Sequence, residues 1–406
     1  MEFLTHQLPN GMRLIHRPVS SPVAHAGLFI GTGSRDEEVP EHGVAHLIEH
    51  MLFKGTEKRK SFHILSRMEN VGGEINAYTT KEETVIYSTF FREYYARALE
   101  LISDIVFHSS FPVNELQKEK EVILDEINSY KDSPSELIFD EFEELLYVGN
   151  PLGRNVLGNT KRLRAFNPGH LKSFIEKNYI PERMVISSVG NIPFKRLVRL
   201  FEIYFGGVGK RSSRDRAPFN HQYKPAMKTL NRKTHQAHCI IGGIAYDIKN
   251  EKRLALSLLN NVLGGPGMNS RLNLALRERT GFAYTVDSLY TAYTDTGNIT
   301  VYFGTDKVNL DKCIVTVKRE LQKLCTGTLS QSQMLKAKRQ LMGQIAISAE
   351  VHENHMLYIG KSYMIFSEVD DLETTARKVD ELTAARLHEV ANEIFDQNQL
   401  SYLIYR

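Results

Sequence analysis

Apolar residues along this 406-residue chain fall into two kinds of run. One is short and rich in β-branched or aromatic residues; the other is longer, with apolar positions recurring every three or four residues. The short runs predict strands over Met12–Arg17, His25–Gly31, Ile75–Phe90 and Met184–Val189. Helical runs lie around His46–Phe53 and from Asn114 to about Leu146. Between Gly206 and Lys224 the periodicity lapses, and the chain is basic and contains glycine and proline, the composition of a linker. The order then repeats, with strands at Met227–Asn231 and His238–Tyr246, a helix over Lys252–Leu263, strands around Tyr284–Phe303, long helices, and a closing strand at Leu400–Tyr405. The pattern predicts an α+β fold of two homologous α/β sandwich-like domains, each a mostly antiparallel sheet packed with helices. Their expected bounds are 1–212 and 229–406, joined by a linker over 213–228.

Length alone favours two or more domains. Hydrophobic residues at 42% and charged residues at 24% are ordinary for a globular protein. A net charge of +3 makes no case for a nucleic-acid partner or a polybasic membrane surface. Cys239, Cys313 and Cys325 are odd in number and lack C-x-x-C spacing, so they read as core thiols. No stretch has the roughly 20 apolar residues of a membrane span and no signal-like start is seen, so the expected location is cytoplasmic.

One polar cluster interrupts the apolar helix around residue 50: His46-Leu47-Ile48-Glu49-His50. At about 100° per residue, Glu49 lies near −60° and His50 near +40° from His46, so the three side chains share roughly one quadrant. H-x-x-E-H is a zinc-site motif in the order opposite to H-E-x-x-H, with the carboxylate as general base. Two histidines leave a tetrahedral site short of a ligand. The segment Asn114–Tyr130, after Pro112 and with Asn114 suited to capping, reads as a helix in which Glu119 and Glu126 lie on one line, offset by about 20°. Val122 and Ile123 are expected between them, and a core-facing acid requires a partner. On spacing alone, either glutamate could complete the site.

These features resemble the pitrilysin, insulin-degrading enzyme and mitochondrial processing peptidase family, most closely its half-length bacterial members. The match rests on H-x-x-E-H, on the separation of Glu126 from it, on Glu119 one heptad earlier, and on Gly33-Ser34, Phe53-Lys54-Gly55-Thr56 and Val122-Ile123-Leu124-Asp125-Glu126-Ile127. The resemblance implies a zinc-dependent endopeptidase with one zinc per chain, bound by His46, His50 and Glu126. Glu119 would orient a ligand histidine and Glu49 would be the base. It further implies that unfolded peptides are cleaved in an enclosed chamber, and that the chain pairs as a homodimer or as a heterodimer with an inactive homologue. The alternative is a non-catalytic core-type subunit that binds peptide or scaffolds a complex; such relatives usually lose part of the motif, which is whole here.

Gly72–Thr80 resembles the family's edge strand for peptide addition, with Asn76 and Ala77 as substrate contacts. Arg277 and Tyr284 resemble its Arg and Tyr pair, which would hold a substrate carbonyl and stabilise the oxyanion. His352-Glu353-Asn354-His355 reads as a solvated helix face, and Gly264–Gly267 as a loop without a phosphate-loop signature.

Overall fold

The computed structural model describes residues 3–210, 216, 218–220 and 222–406. Part of the linker expected over 213–228, namely 213–215, 217 and 221, lies outside the described residues. The first sheet contains β1 (Leu4–Gln7), β2 (Arg13–Pro18), β3 (Val23–Ile30), β4 (Glu74–Thr79), β5 (Thr84–Phe91) and β6 (Met184–Gly190), in the order β1-β2-β6-β3-β5-β4. The second contains β7 (Met227–Leu230), β8 (Gln236–Ala245), β9 (Ala283–Ala292), β10 (Gly297–Asp306) and β11 (Ser401–Tyr405), in the order β7-β11-β8-β10-β9. Apart from β1 the two orders superimpose element for element. Each sheet also has a single parallel pair in the matching place, β2 with β6 and β7 with β11. This shared topology carries the two-fold repeat of the α+β chain.

The expected strand through Ile75–Phe90 is two strands. Thr80-Lys81-Glu82-Glu83 turns the chain, and β4 pairs back on β5 in register, Ala77 opposite Ile86. Three consecutive charged residues break the alternation that a continuous strand needs.

The compact units are not the continuous halves 1–212 and 229–406. One comprises Met1–Asn128, Arg154–Arg216 and Ile347–Val369; the other comprises Ser129–Gly153, Ala217–Ala346 and Asp370–Arg406. Each half of the sequence thus lends one helix to the other unit. In the first unit, helix His352–Phe366 sets Met356 and Ile359 against Ile15, Phe29, Val85, Val185 and Val189 of the sheet. In the second, helix Pro134–Leu146 sets Ile138, Phe142 and Leu146 against Ile240, Leu403 and Tyr405. The physical need is plain in β6, every residue of which is buried. A strand apolar on both faces needs cover on both faces.

The lent helix corrects the reading of His352–His355 as a solvated face. His355 is 8% exposed, neither ring nitrogen has a hydrogen-bond partner, and the ring stacks on Phe3 at 6.2 Å. Burial, with Arg17 and His352 nearby, holds its pKa down at about 4. The folded imidazole therefore stays neutral while the unfolded one takes a proton below about 6.5. Relative to a His355→Phe variant, the wild type is expected to lose about 1 kcal/mol per pH unit between pH 6.5 and 4. Unfolding midpoints of both proteins at pH 8 and pH 5 test this; an equal gap at the two pH values contradicts it.

Candidate metal centre

Helix Val44–Leu52 buries Val44, Leu47, Ile48, Met51 and Leu52. That burial fixes its rotation and turns His46, Glu49 and His50 to one side. The facing residues come from helix Val113–Lys131, which begins one residue before Asn114, so Asn114 is not its cap. Its inward stripe is Leu116, Glu119, Lys120, Ile123, Leu124 and Ile127; Val122, expected on that stripe, is 49% exposed.

His46 Nε2 and His50 Nε2 lie 3.9 Å and 3.7 Å from Glu126 Oε2. These separations are too long for hydrogen bonds. They are near the spacing of about 3.4 Å expected for two ligands on one tetrahedral zinc with bonds near 2.1 Å. Among the described residues, His46, His50 and Glu126 form a group whose candidate ligand atoms all fall within 4.8 Å of one another.

The protonation states suit a cation. Burial, then neighbouring His50, pulls the His46 pKa down to about 3, so its imidazole is neutral. His50 Nδ1 lies 3.1 Å from Glu119 Oε2, so the N–H is held at Nδ1 and the Nε2 lone pair faces Glu126. The other oxygen of Glu119 meets Lys54 Nζ at 2.6 Å. Buried Glu119 thus bridges His50 and Lys54. Burial raises the Glu49 pKa, with Thr79 of β4 and His50 offsetting part of the rise. Glu49 Oε2 is buried without a hydrogen-bond partner. Two imidazole nitrogens and a carboxylate oxygen gathered within reach of one point, a histidine held by Glu119, and the buried Glu49 Oε2 without a hydrogen-bond partner on the same side of the helix fit a zinc ion with an open position.

Residues 14–160 match the family described as insulinase, peptidase family M16, and residues 165–341 match its "inactive domain". An uncharacterised zinc protease of Bacillus subtilis is 32% identical over 400 residues, covering 97% of this chain and 96% of its own. The chain belongs to peptidase family M16. An uncharacterised zinc protease of Rickettsia bellii is 31% identical, over 99% of this chain and 97% of its own. The M16 fold is also that of a Helicobacter pylori protease structure, with a TM-score of 0.91 at 19% identity, covering 100% of this chain and 99% of that one. A Pseudomonas fluorescens structure titled as the M16 inactive domain has a TM-score of 0.92 at 21% identity, covering 100% and 98%.

The remaining expected site residues of this M16 chain are placed as follows. Edge strand β4 carries Asn76 and Ala77 and pairs with β5 on one side. Ala77 packs into the core that contains the His46 helix, whereas Tyr78 packs on the opposite side of the sheet. By strand alternation, exposed Asn76 shares the side of Tyr78, away from Glu49. Arg277 and Tyr284 belong to the second unit, and the metal-centre residues to the first. Both are exposed: Arg277 lies on a π-helical turn over Asn273–Glu278, and Tyr284 on β9 donates to Asp306 at 3.2 Å. Cys239 and Cys313 are buried free thiols, Cys325 is a half-buried one, and no described helix is long and apolar enough to cross a membrane.

Three contributors escaped the sequence reading. Lys54 stands just past the end of the His46 helix and pairs with Glu119 on another helix, so its spacing from His50 says nothing of that contact. Thr79 carries no local signal, because Glu49, on which it acts, belongs to a different element far back in the chain; Glu37 precedes by only six and eight residues the Gly43 and Ala45 N–H groups that it meets.

Proposed function

We propose that this protein is a zinc-dependent endopeptidase acting on unfolded peptides, with His46, His50 and Glu126 as ligands and Glu49 as general base. The observation that carries the reading is the convergence of those three donor atoms beside a half-buried carboxylate that is not one of them. Bound zinc supplies a Lewis acid that polarises a carbonyl and acidifies a water. Glu49, its pKa raised by burial, accepts the water's proton and returns it to the departing amine. Glu119 keeps His50 in its donor tautomer, with Lys54 balancing its charge. The free edge of β4 accepts an extended chain through main-chain hydrogen bonds, which would recognise peptide rather than any one side chain. Arg277 and Tyr284 are proposed to position the substrate and stabilise the oxyanion.

Purified protein is expected to hold one zinc per chain and to cleave a quenched unstructured peptide. Chelation should abolish cleavage and zinc should restore it. Absence of both bound zinc and chelator-sensitive cleavage would favour the non-catalytic subunit instead.

A further inference from the structure

The first N–H groups of a helix have no partners within it and form its positive pole. The His46 helix begins after Gly43, which has φ +97° and no side chain with which to cap. The acceptor comes from outside. Glu37 is 2% exposed, and its two carboxylate oxygens each lie 2.9 Å from a backbone nitrogen, Oε2 from Gly43 and Oε1 from Ala45. His46 is the next residue.

Glu37 is itself fixed. Arg154 Nη1 donates to the Glu37 carbonyl at 2.9 Å, and Lys81 Nζ donates to the Arg154 carbonyl at 2.5 Å. Lys81 sits in the β4–β5 turn, two residues after Thr79, which acts on Glu49. The segment that carries Arg154 also seats closely on the helix start: a Cβ on Gly158 would stand 2.5 Å from Gly43 Cα. Helix start, Arg154 segment and edge-strand turn thus meet through one buried carboxylate residue.

We infer that Glu37 is a positioning residue of the peptidase proposed above, setting the axial position and rotation of the helix that bears His46, Glu49 and His50. The inference rests on that reading of the site. Glu37 meets this helix through the backbone N–H groups of Gly43 and Ala45, so it acts through backbone geometry. Its two N–H bonds index the first helical turn, and the Arg154–Lys81 chain refers that turn to β4. A helix freed at this end would tilt or fray in its first turn, where His46 stands, and the donor atoms would lose their common focus.

Full-length wild type, Glu37→Ala, Glu37→Gln and Glu37→Asp are compared for zinc affinity by competition with a chromophoric chelator, for cleavage of an unstructured peptide, and for unfolding midpoint without metal. Glu37→Ala is expected to weaken zinc about 10–100-fold, the usual cost of losing a group that orients metal ligands. Its kcat should fall with little change in KM. Glu37→Gln, of the same shape but able to accept from only one of the two N–H groups, should fall between Glu37→Ala and the wild type. Glu37→Asp keeps a carboxyl group but is too short to reach both N–H groups, and should weaken zinc by at least about fivefold; this variant decides the matter if Glu37→Ala fails to fold. Wild-type zinc affinity in folded Glu37→Ala or Glu37→Asp overturns the inference, including the case where only the unfolding midpoint falls. Wild-type protein that binds no zinc would instead overturn the underlying functional reading.

Discussion

Glu49→Gln is expected to bind zinc as the wild type does while cleaving peptides about 10²–10⁴-fold more slowly. The three donor atoms that converge belong to His46, His50 and Glu126, so the amide removes no ligand. What it removes is the group able to take a proton. Glutamine has the same shape and no such capacity. The half-buried carboxylate is held above its ordinary pKa mainly by desolvation, and one of its oxygens has no hydrogen-bond partner. Exchanging it for a neutral amide relieves that cost, so the metal-free unfolding midpoint should stay level or rise. Zinc content by atomic absorption and single-turnover cleavage measure the two effects separately. Turnover within about fivefold of wild type would remove Glu49 from the proton-transfer role.

Gly360→Ala is expected to destabilise the protein by about 2 kcal/mol, although alanine is the better helix former. Gly360 lies within helix His352–Phe366, where a Cβ would stand 2.3 Å from Phe29 Cε2 and 2.6 Å from Cζ. Phe29 is fully buried on β3, so its ring has no room to withdraw. Overpacking of this kind typically costs about 1–3 kcal/mol and exceeds the helix-propensity gain of at most about 1 kcal/mol. The matched control is Gly343→Ala in helix Gln331–Glu350, where an added Cβ meets nothing within 4 Å. That change should stabilise by up to about 1 kcal/mol. Opposite shifts in unfolding midpoint are expected; a Gly360→Ala midpoint at or above wild type would show that the lent helix yields without cost.

The His46, Glu49 and His50 cluster was legible because a helix is written in contacts three and four residues apart. An apolar remainder of Val44, Leu47, Ile48 and Met51 leaves those three residues one direction to face. The glutamates were legible only as a pair. Both lie on one line of helix Val113–Lys131, and sequence spacing offers no distinction between them. In the folded chain Glu126 meets the Nε2 side of both histidines, while buried Glu119 meets His50 Nδ1 and Lys54. Burial separates their roles, since Glu126 keeps an exposed position and Glu119 does not.

By itself the sequence determined the two-fold α+β order, the place of most sheet strands and of the two helices that carry the metal-site residues, and the face on which the metal-binding motif stands. All of these follow from apolar periodicity over a few turns or strand steps. Tertiary structure alone decided that helices Pro134–Leu146 and His352–Phe366 are exchanged between the units, and that Glu126 rather than Glu119 meets the Nε2 side of both histidines. Each of these depends on which distant surface most needs cover or a hydrogen-bond partner. A buried strand face is satisfied by whatever segment the whole chain brings to it, and no local pattern records that segment's address.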